Sequence, residues 1–320
     1  AERATAGGIV GNNSTGSHSI LYGMTGDNVM RARAAMADGT VLELGPTTPQ
    51  AMAGLAGRDD GQGRLYAELL AFRERYAGLI DRDFPRHWRR ATGYSLDQLI
   101  KPDDEFNLAR LLVSSEGTLA TLLDVTFNLY KRPTKTGLVL LQFDNLVASM
   151  AATPAILETD PSAVELMGRL LINLTRSQPG FARQIALIEG DPNAVLVVEY
   201  YGESEEEVRQ KAEHLKAHLA ARGVRTMVEP LVVLDPKQQE DVWSVRKAGL
   251  GLLRQGSVQH RAQGRAVLVL LFPLLAPHRP VLGRRAHGGV LAMVLVAADH
   301  QLRVGVQGRD VLVALVADRL

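Results

Sequence analysis

"AVLVVEYYG", beginning at Ala194, runs directly into "ESEEEVRQKAEHLKAHLAARG", and this pair limits the possible folds more than any other stretch of the chain. The first segment is a short run of β-branched and aromatic residues, the composition of a buried strand. The second puts Val208, Ala212, Leu215 and Leu219 on one helical face. Ser204 and Glu207 fit a capping box, acids crowd the first turn, and Gly223 follows the last one. The same alternation extends to both sides. "TGLVLLQF" from Thr136 reads as a buried strand, "NLVASMAATPAILE" as a helix and "AVELMG" as a short strand. "VRTMVE" reads as a returning strand and "PKQQEDVWSVRKAGLGLL" as a helix. Short connections between alternating elements predict an α+β domain over residues 134–253, with helices covering one face of a sheet.

A different organisation precedes it. "MRARAAMADGTVLELG" is a strand, a turn at Asp38 and Gly39, and a second strand. "GRLYAELLAFRERYAGLI" spaces Leu65, Leu69, Phe72, Tyr76 and Leu79 as one face of a helix. "LARLLVSSEGTLATLLDVTFNLYKRP" is a helical turn, a Ser/Gly bend and an apolar strand that Pro133 closes, so the boundary falls near residue 133. Ahead of all this lies "GGIVGNNSTGSHSILYGMTGDNV", Gly7 to Val29, dense in glycine, asparagine and serine. A glycine-rich segment admits close approach to its backbone, as phosphate sites require. A P-loop would end in Gly-Lys-Ser/Thr, which is missing, and a Rossmann turn would need a strand before the glycines and a helix opening at the last one. Neither pattern is met, and "NNSTGSHS" reads as turn.

The complete string is more specific than its glycines. "AGGIVGNNSTGSHSILYGMTGDNV" with the hairpin after it resembles the flavin-binding segment of FAD-linked oxidases of the PCMH (vanillyl-alcohol-oxidase) type. The branch is the one that holds D-lactate dehydrogenases, glycolate oxidase subunits and D-2-hydroxyglutarate dehydrogenases. "SSEGTLATLLDVTFNLYKRP" resembles the family's Gly-Ser-Glu-Gly-Thr-Leu strand, with Ser114 in place of the first glycine, and "VWSVRKAG" resembles its Trp-x-x-Arg segment. The resemblance runs in order from about residue 4 to about residue 253. It implies the C-terminal part of a PCMH-type FAD-binding domain over residues 1–133 and an incomplete ferredoxin-like substrate domain over residues 134–253. FAD is the implied cofactor. Gly7, Gly8, Gly11, Asn12, Asn13, Ser14, Gly16, Ser17 and His18 would lie along it, their main chain following the pyrophosphate and the ring. Tyr22, Gly23, Asp27, Asn28 and Val29 would complete the wall, and Ser115, Glu116, Gly117 and Thr118 would close it from the second strand. Arg246 would hold the carboxylate of a small 2-hydroxy acid, which a guanidinium fork suits. Electrons would pass to a separate acceptor or iron–sulfur protein.

Composition narrows the remaining classes. The chain has 320 residues and no cysteine, which excludes disulfides, cysteine nucleophiles and iron–sulfur clusters held by this sequence alone. A net charge of +1 gives no global attraction to nucleic acid. No apolar run is long enough to span a bilayer, and the expected location is cytoplasmic. His214 and His218 flank the apolar stripe of their helix beside Glu and Lys, as on a solvated face, and His260, His278, His287 and His300 follow no ligand spacing, so no metal is expected. The resemblance also implies an earlier half-domain with a first phosphate loop that this sequence does not contain. The alternative expectation is therefore a non-catalytic remnant that does not retain FAD. Residues 254–320 carry nine Arg, three Asp, no Lys and no Glu, hence +6, which leaves −5 for the residues before them. Their Val, Leu, Arg and Gly bias without a period suggests a shifted reading frame and a tail that contributes no site residue.

Overall fold

The computed structural model describes residues 4–248, apart from Ala91, Asp103 and Ala182. The expectations for residues 254–320 lie outside the described residues. The chain divides into two units, Ala1–Lys131 and Arg132–Leu320.

In the first unit, helices α1 (Ala6–Gly11) and α2 (Ser19–Tyr22) lead into strands β1 (Val29–Ala35) and β2 (Val41–Leu44). Helices α3 (Pro49–Ala56) and α4 (Gly61–Asp83) follow, and then strand β3 (Thr121–Phe127). The three strands form an antiparallel sheet in the order β2-β1-β3. The hairpin turn is as read: Gly39 has φ +83°, and the Thr40 amide donates to Asp38 Oδ1 at 2.9 Å. Val29, Ala32, Ala34, Leu42 and Leu44 form one buried face, and Met52, Tyr66, Leu99, Phe106, Leu108 and Val113 pack with them in one cluster. On α4 the expected Leu65, Leu69 and Phe72 pack against this cluster half-buried, Tyr66 and Ile80 are the buried apolar residues, and Leu79 is exposed.

The second unit contains β4 (Lys135–Phe143), α5 (Leu146–Leu157), β5 (Ala163–Gly168) and α6 (Arg169–Arg176). It continues with β6 (Ala194–Gly202), α7 (Glu205–Ala221), β7 (Leu231–Val233) and a helix over residues 236–248, α8. The sheet order is β5-β6-β4-β7 with every pair antiparallel, the split βαβ arrangement of a ferredoxin-like domain. Both units mix helices with antiparallel sheet, so the α+β fold class holds. Two details differ from the sequence reading. "VRTMVE" is not a strand; β7 starts immediately after Pro230, where the missing N–H costs the ladder nothing. Helices also cover both faces. Leu138, Leu140, Met167, Val195 and Val197 project to one face and join Leu171 and Ile172 of α6 and Val242 and Val245 of α8 in one cluster. The alternate strand residues, Val139, Leu141 and Val198, are equally buried on the other face, which α5 and α7 cover.

On that second face the Tyr200 hydroxyl meets Thr159 Oγ1 in a buried hydrogen bond of 2.5 Å. Burial pushes the phenol up to about 12 from 10.0, and the bond from Thr159 offsets part of the rise. The raised pKa sits in the folded state, so its stabilisation is complete below pH 10 and is lost as the pH climbs toward 12. Between those values the second unit is expected to lose about 1–3 kcal/mol. Urea unfolding at pH 9 and pH 11.5 measures it, and Tyr200→Phe should abolish most of the difference. An equal alkaline loss in that variant would assign it to other groups.

Candidate functional site

The glycine-rich segment is not a loop at its start. Ala6–Gly11 is a helical turn and a half, capped by Thr5, whose Oγ1 accepts the Gly8 amide at 3.2 Å. Three glycines in six residues oppose a helix at roughly 1 kcal/mol each. Tertiary contacts offset that cost. Val10 is buried, and the carbonyls of Val10 and Gly11 accept the amides of Ser114 (3.1 Å) and Glu116 (3.0 Å). The bend at Ser114–Gly117 thus supplies a second partner for the Val10 carbonyl and a partner for that of Gly11 at the helix end. The bend achieves this through left-handed backbone at Ser114 (φ +68°), Glu116 (φ +50°) and Gly117 (φ +76°).

Where the two segments meet, a cleft of about 620 Å³ opens, a size typical of small-molecule sites. Gly7, Gly8, Gly11 and Asn12 line one wall, and Ser115, Glu116 and Gly117 line another. Val10, Leu112, Ala120 and Leu122 supply its apolar surface, and among the described residues that line it none is basic. A Cβ built on Gly7 would find its nearest neighbour, Leu122, at 4.0 Å, and one on Gly11 would stand 3.6 Å from Glu116 Cα. The wall is bare backbone, which a flat ring can approach closely. The backbone donors are another matter. The amides of Gly8, Ile9, Asn12, Asn13 and Ser14 are all bonded within the segment, to Thr5 Oγ1, Thr5 O, Gly8 O, Val10 O and Ile9 O. The N–H groups close the helix first, so Ala6–Gly11 is a helical wall where the sequence reads as loop.

The other named residues form the frame behind this wall. Asn13, buried and at φ +46°, donates to the Arg90 carbonyl at 3.0 Å and accepts the Gly26 amide at 3.0 Å. Asn28 donates to the carbonyls of Tyr22 (2.9 Å) and Met24 (3.1 Å). Asp27 accepts the Met24 amide at 2.8 Å, beside Gly23 at φ +75°. The Ser14 hydroxyl accepts from Asn12 at 3.2 Å, and Gly16 donates its amide to Ser19 Oγ at 3.0 Å. Ser17 Oγ lies 3.3 Å from His18 Nδ1, and the Tyr22 ring stacks at a tilt on Tyr130 with centroids 4.7 Å apart. Val29 is fully buried in β1. Ser115 donates to the Leu112 carbonyl at 2.7 Å, and Thr118 bonds the Ser115 carbonyl and Tyr94. Of the residues read from the sequence, seven line the cleft: Gly7, Gly8, Gly11, Asn12, Ser115, Glu116 and Gly117. Val10, Leu112, Ala120, Thr121 and Leu122 also line it without having been named; the signal for the last three was the apolar run in "TLATLL".

Arg246 belongs to the second unit, on α8. Its Nε donates to Glu165 Oε2 at 2.8 Å, and its Nη2 lies 3.5 Å from Glu165 Oε1. The arginine side chain is 41% exposed and the glutamate 12%. Trp243, three residues earlier, packs at the edge of the α8 core cluster. His218 Nε2 reaches Glu158 at 2.9 Å, with the His214 ring 6.0 Å away. Among the described residues no three His, Cys, Asp or Glu side chains gather as a metal site, and no helix is long and apolar enough to cross a membrane.

Comparison with known proteins gives two family matches. Residues 132–265 match "FAD linked oxidases, C-terminal domain" and residues 1–45 match "FAD binding domain". FAD is the cofactor that these matches indicate. The D-2-hydroxyglutarate dehydrogenase of Pantoea ananatis is 27% identical over 82% of this chain and 26% of its own length. The Escherichia coli enzyme of that name is 27% identical over 78% and 25%, and the D-lactate dehydrogenase of Archaeoglobus fulgidus is 22% identical over 64% and 35%. The chain thus spans about a quarter of the length of the first of these relatives. A solved alkyldihydroxyacetonephosphate synthase superposes on 79% of this chain and 37% of its own, at 14% identity and a TM-score of 0.47.

Proposed function

We propose that the chain is part of a FAD-dependent oxidoreductase of the FAD-linked oxidase kind that its two family matches indicate, acting on a small 2-hydroxy acid such as D-lactate, glycolate or D-2-hydroxyglutarate. The observation that carries this reading is the cleft, which joins the glycine helix α1 to the Ser115–Gly117 bend. Bound FAD would supply the hydride acceptor for oxidation of the substrate's α-carbon. The chain's own residues do the holding. Gly7, Gly8 and Gly11 present a wall without side chains, Asn12 and Ser115 lend polar edges, and Leu112, Ala120 and Leu122 keep water from the apolar side. Asn13, Asn28 and Asp27 act one layer behind by fixing the turns that hold α1 against the bend. Arg246, whose side chain is 41% exposed, is the proposed anchor of the substrate carboxylate through charge-assisted N–H donors. A separate electron acceptor completes the turnover, and a cytoplasmic site of action is part of the same reading.

Gly7→Leu tests the cleft without damaging the fold. The position is exposed and helical, so leucine should hold or raise stability by up to about 1 kcal/mol. Its side chain would enter the space a flat ring needs. After incubation with FAD and gel filtration, the parent chain should carry the absorbance of oxidised flavin in the blue, and the variant should lose it. A parent chain that emerges colourless would sink the reading of the cleft, as would full retention by the variant.

A further inference from the structure

We infer that Glu165 is the positioning residue of Arg246, holding its guanidinium edge-on so that the end of the fork faces a ligand carboxylate. The inference rests on the reading of Arg246 as carboxylate anchor. Glu165 is an acid in the otherwise apolar strand "AVELMG". On β5 it stands opposite Val197 of β6 and shares a face with Met167, the face that Val242 and Val245 of α8 cover. Its side chain is 12% exposed, so strand and helix together fix where its carboxylate lies. The contacts at 2.8 Å and 3.5 Å run from Nε and Nη2, a side-on pair. A guanidinium has five N–H donors, and a side-on pair takes the one on Nε and the nearer one on Nη2. The two donors at the end of the fork, one on Nη1 and one on Nη2, lie outside that pair. Their spacing suits a second carboxylate held bidentately. Arg246 is the more exposed partner at 41%, so its side chain is within reach of a solute.

Electrostatics gives this proposal a definite sign. As a mere counter-ion, Glu165 would compete with an anionic ligand, and removing its charge would tighten binding. As a positioning residue it keeps a long, flexible side chain in one rotamer, and removing it loosens binding although the local charge becomes more positive. Isothermal titration of the full chain with D-2-hydroxyglutarate, and in parallel with D-lactate, separates the two. Glu165→Gln should weaken binding about tenfold, as expected when a charge-assisted orienting bond becomes a neutral one. Glu165→Asp keeps the charge but falls short in reach, and should also weaken binding; it serves as the test should the glutamine variant fail to fold, with thermal unfolding as the check on both. Unchanged or tighter binding in a folded Glu165 variant overturns the positioning role. Arg246→Lys should abolish measurable binding. Parent-like binding by Arg246→Lys would defeat the anchor reading itself and the inference with it, as would a parent chain that binds neither acid, and both outcomes differ from a failure of Glu165 alone.

Discussion

Gly63→Ala should destabilise the first unit, by an amount at or above the upper end of the ~1–3 kcal/mol that overpacking costs. Helix propensity predicts the opposite, since alanine is favoured over glycine in a helix by roughly 1 kcal/mol. Gly63 sits in the first turn of α4, where its amide donates to the capping Asp60 Oδ1 at 2.8 Å. Arg58 grips the other oxygen of that carboxylate through Nε and Nη2 at 2.9 and 2.6 Å. Gly63's amide first, and then Arg58, hold the Asp60 carboxyl below its ordinary pKa. The tight turn folds the Arg58 backbone over the glycine. A Cβ there would meet the Arg58 carbonyl oxygen at 2.1 Å and its carbon at 2.8 Å. Those are backbone atoms, so no rotamer change relieves the clash; either the cap opens or α4 shifts, carrying Tyr66 out of the core. Amide exchange in β1 and the first turn of α4 reports the change for this unit alone. Slower exchange in the variant would mean that propensity outweighs the contact.

Sequence reading found what depends on local pattern. Ser204 caps α7 as read, its Oγ accepting the Glu207 amide at 3.1 Å, and Val208, Ala212, Leu215 and Leu219 are all buried. The hairpin at Asp38 and Gly39 and the strands β4, β5 and β6 were equally legible, because their periods and turn residues act within a few positions. What was not legible depends on long-range contact. Helix α1 was missed because glycine argues against a helix, and the remote amides of Ser114 and Glu116 help to complete its end. The Asn13 side chain bonds the Arg90 carbonyl, 77 residues away, and the Asn28 side chain bonds two carbonyls of its own turn, so residues that resemble ligand donors act as clamps. Two of the segments named from the resemblance line the cleft. The resemblance could not say that the N–H groups of α1 were already taken. Glu165 carried a readable signal, a lone acid in an apolar strand, but its partner lies on α8, whose position on the sheet no local pattern encodes.

Ser114→Gly should stabilise the first unit by about 1–4 kcal/mol, the sum of two reliefs and one cost. Ser114 holds φ +68°, a left-handed conformation that disfavours a side chain by about 1–2 kcal/mol. Its hydroxyl is buried and has no hydrogen-bond partner, a burden of about 1–3 kcal/mol that glycine removes. Against these stands the greater freedom of glycine in the unfolded chain, roughly 0.5–1 kcal/mol. The position is the one at which the resembling strand carries glycine, and the geometry supplies the reason. The bend must be left-handed to aim the Ser114 amide at the Val10 carbonyl, and that bond closes the end of α1. A bend that adopts its shape without strain should hold the cleft wall more firmly, so FAD retention should improve or stay constant along with stability. Urea unfolding followed through Trp88 in a Trp243→Phe background isolates the transition of the first unit. A lower midpoint in Ser114→Gly would mean that the hydroxyl has a partner in solution, such as a buried water, and that the side chain supports the bend.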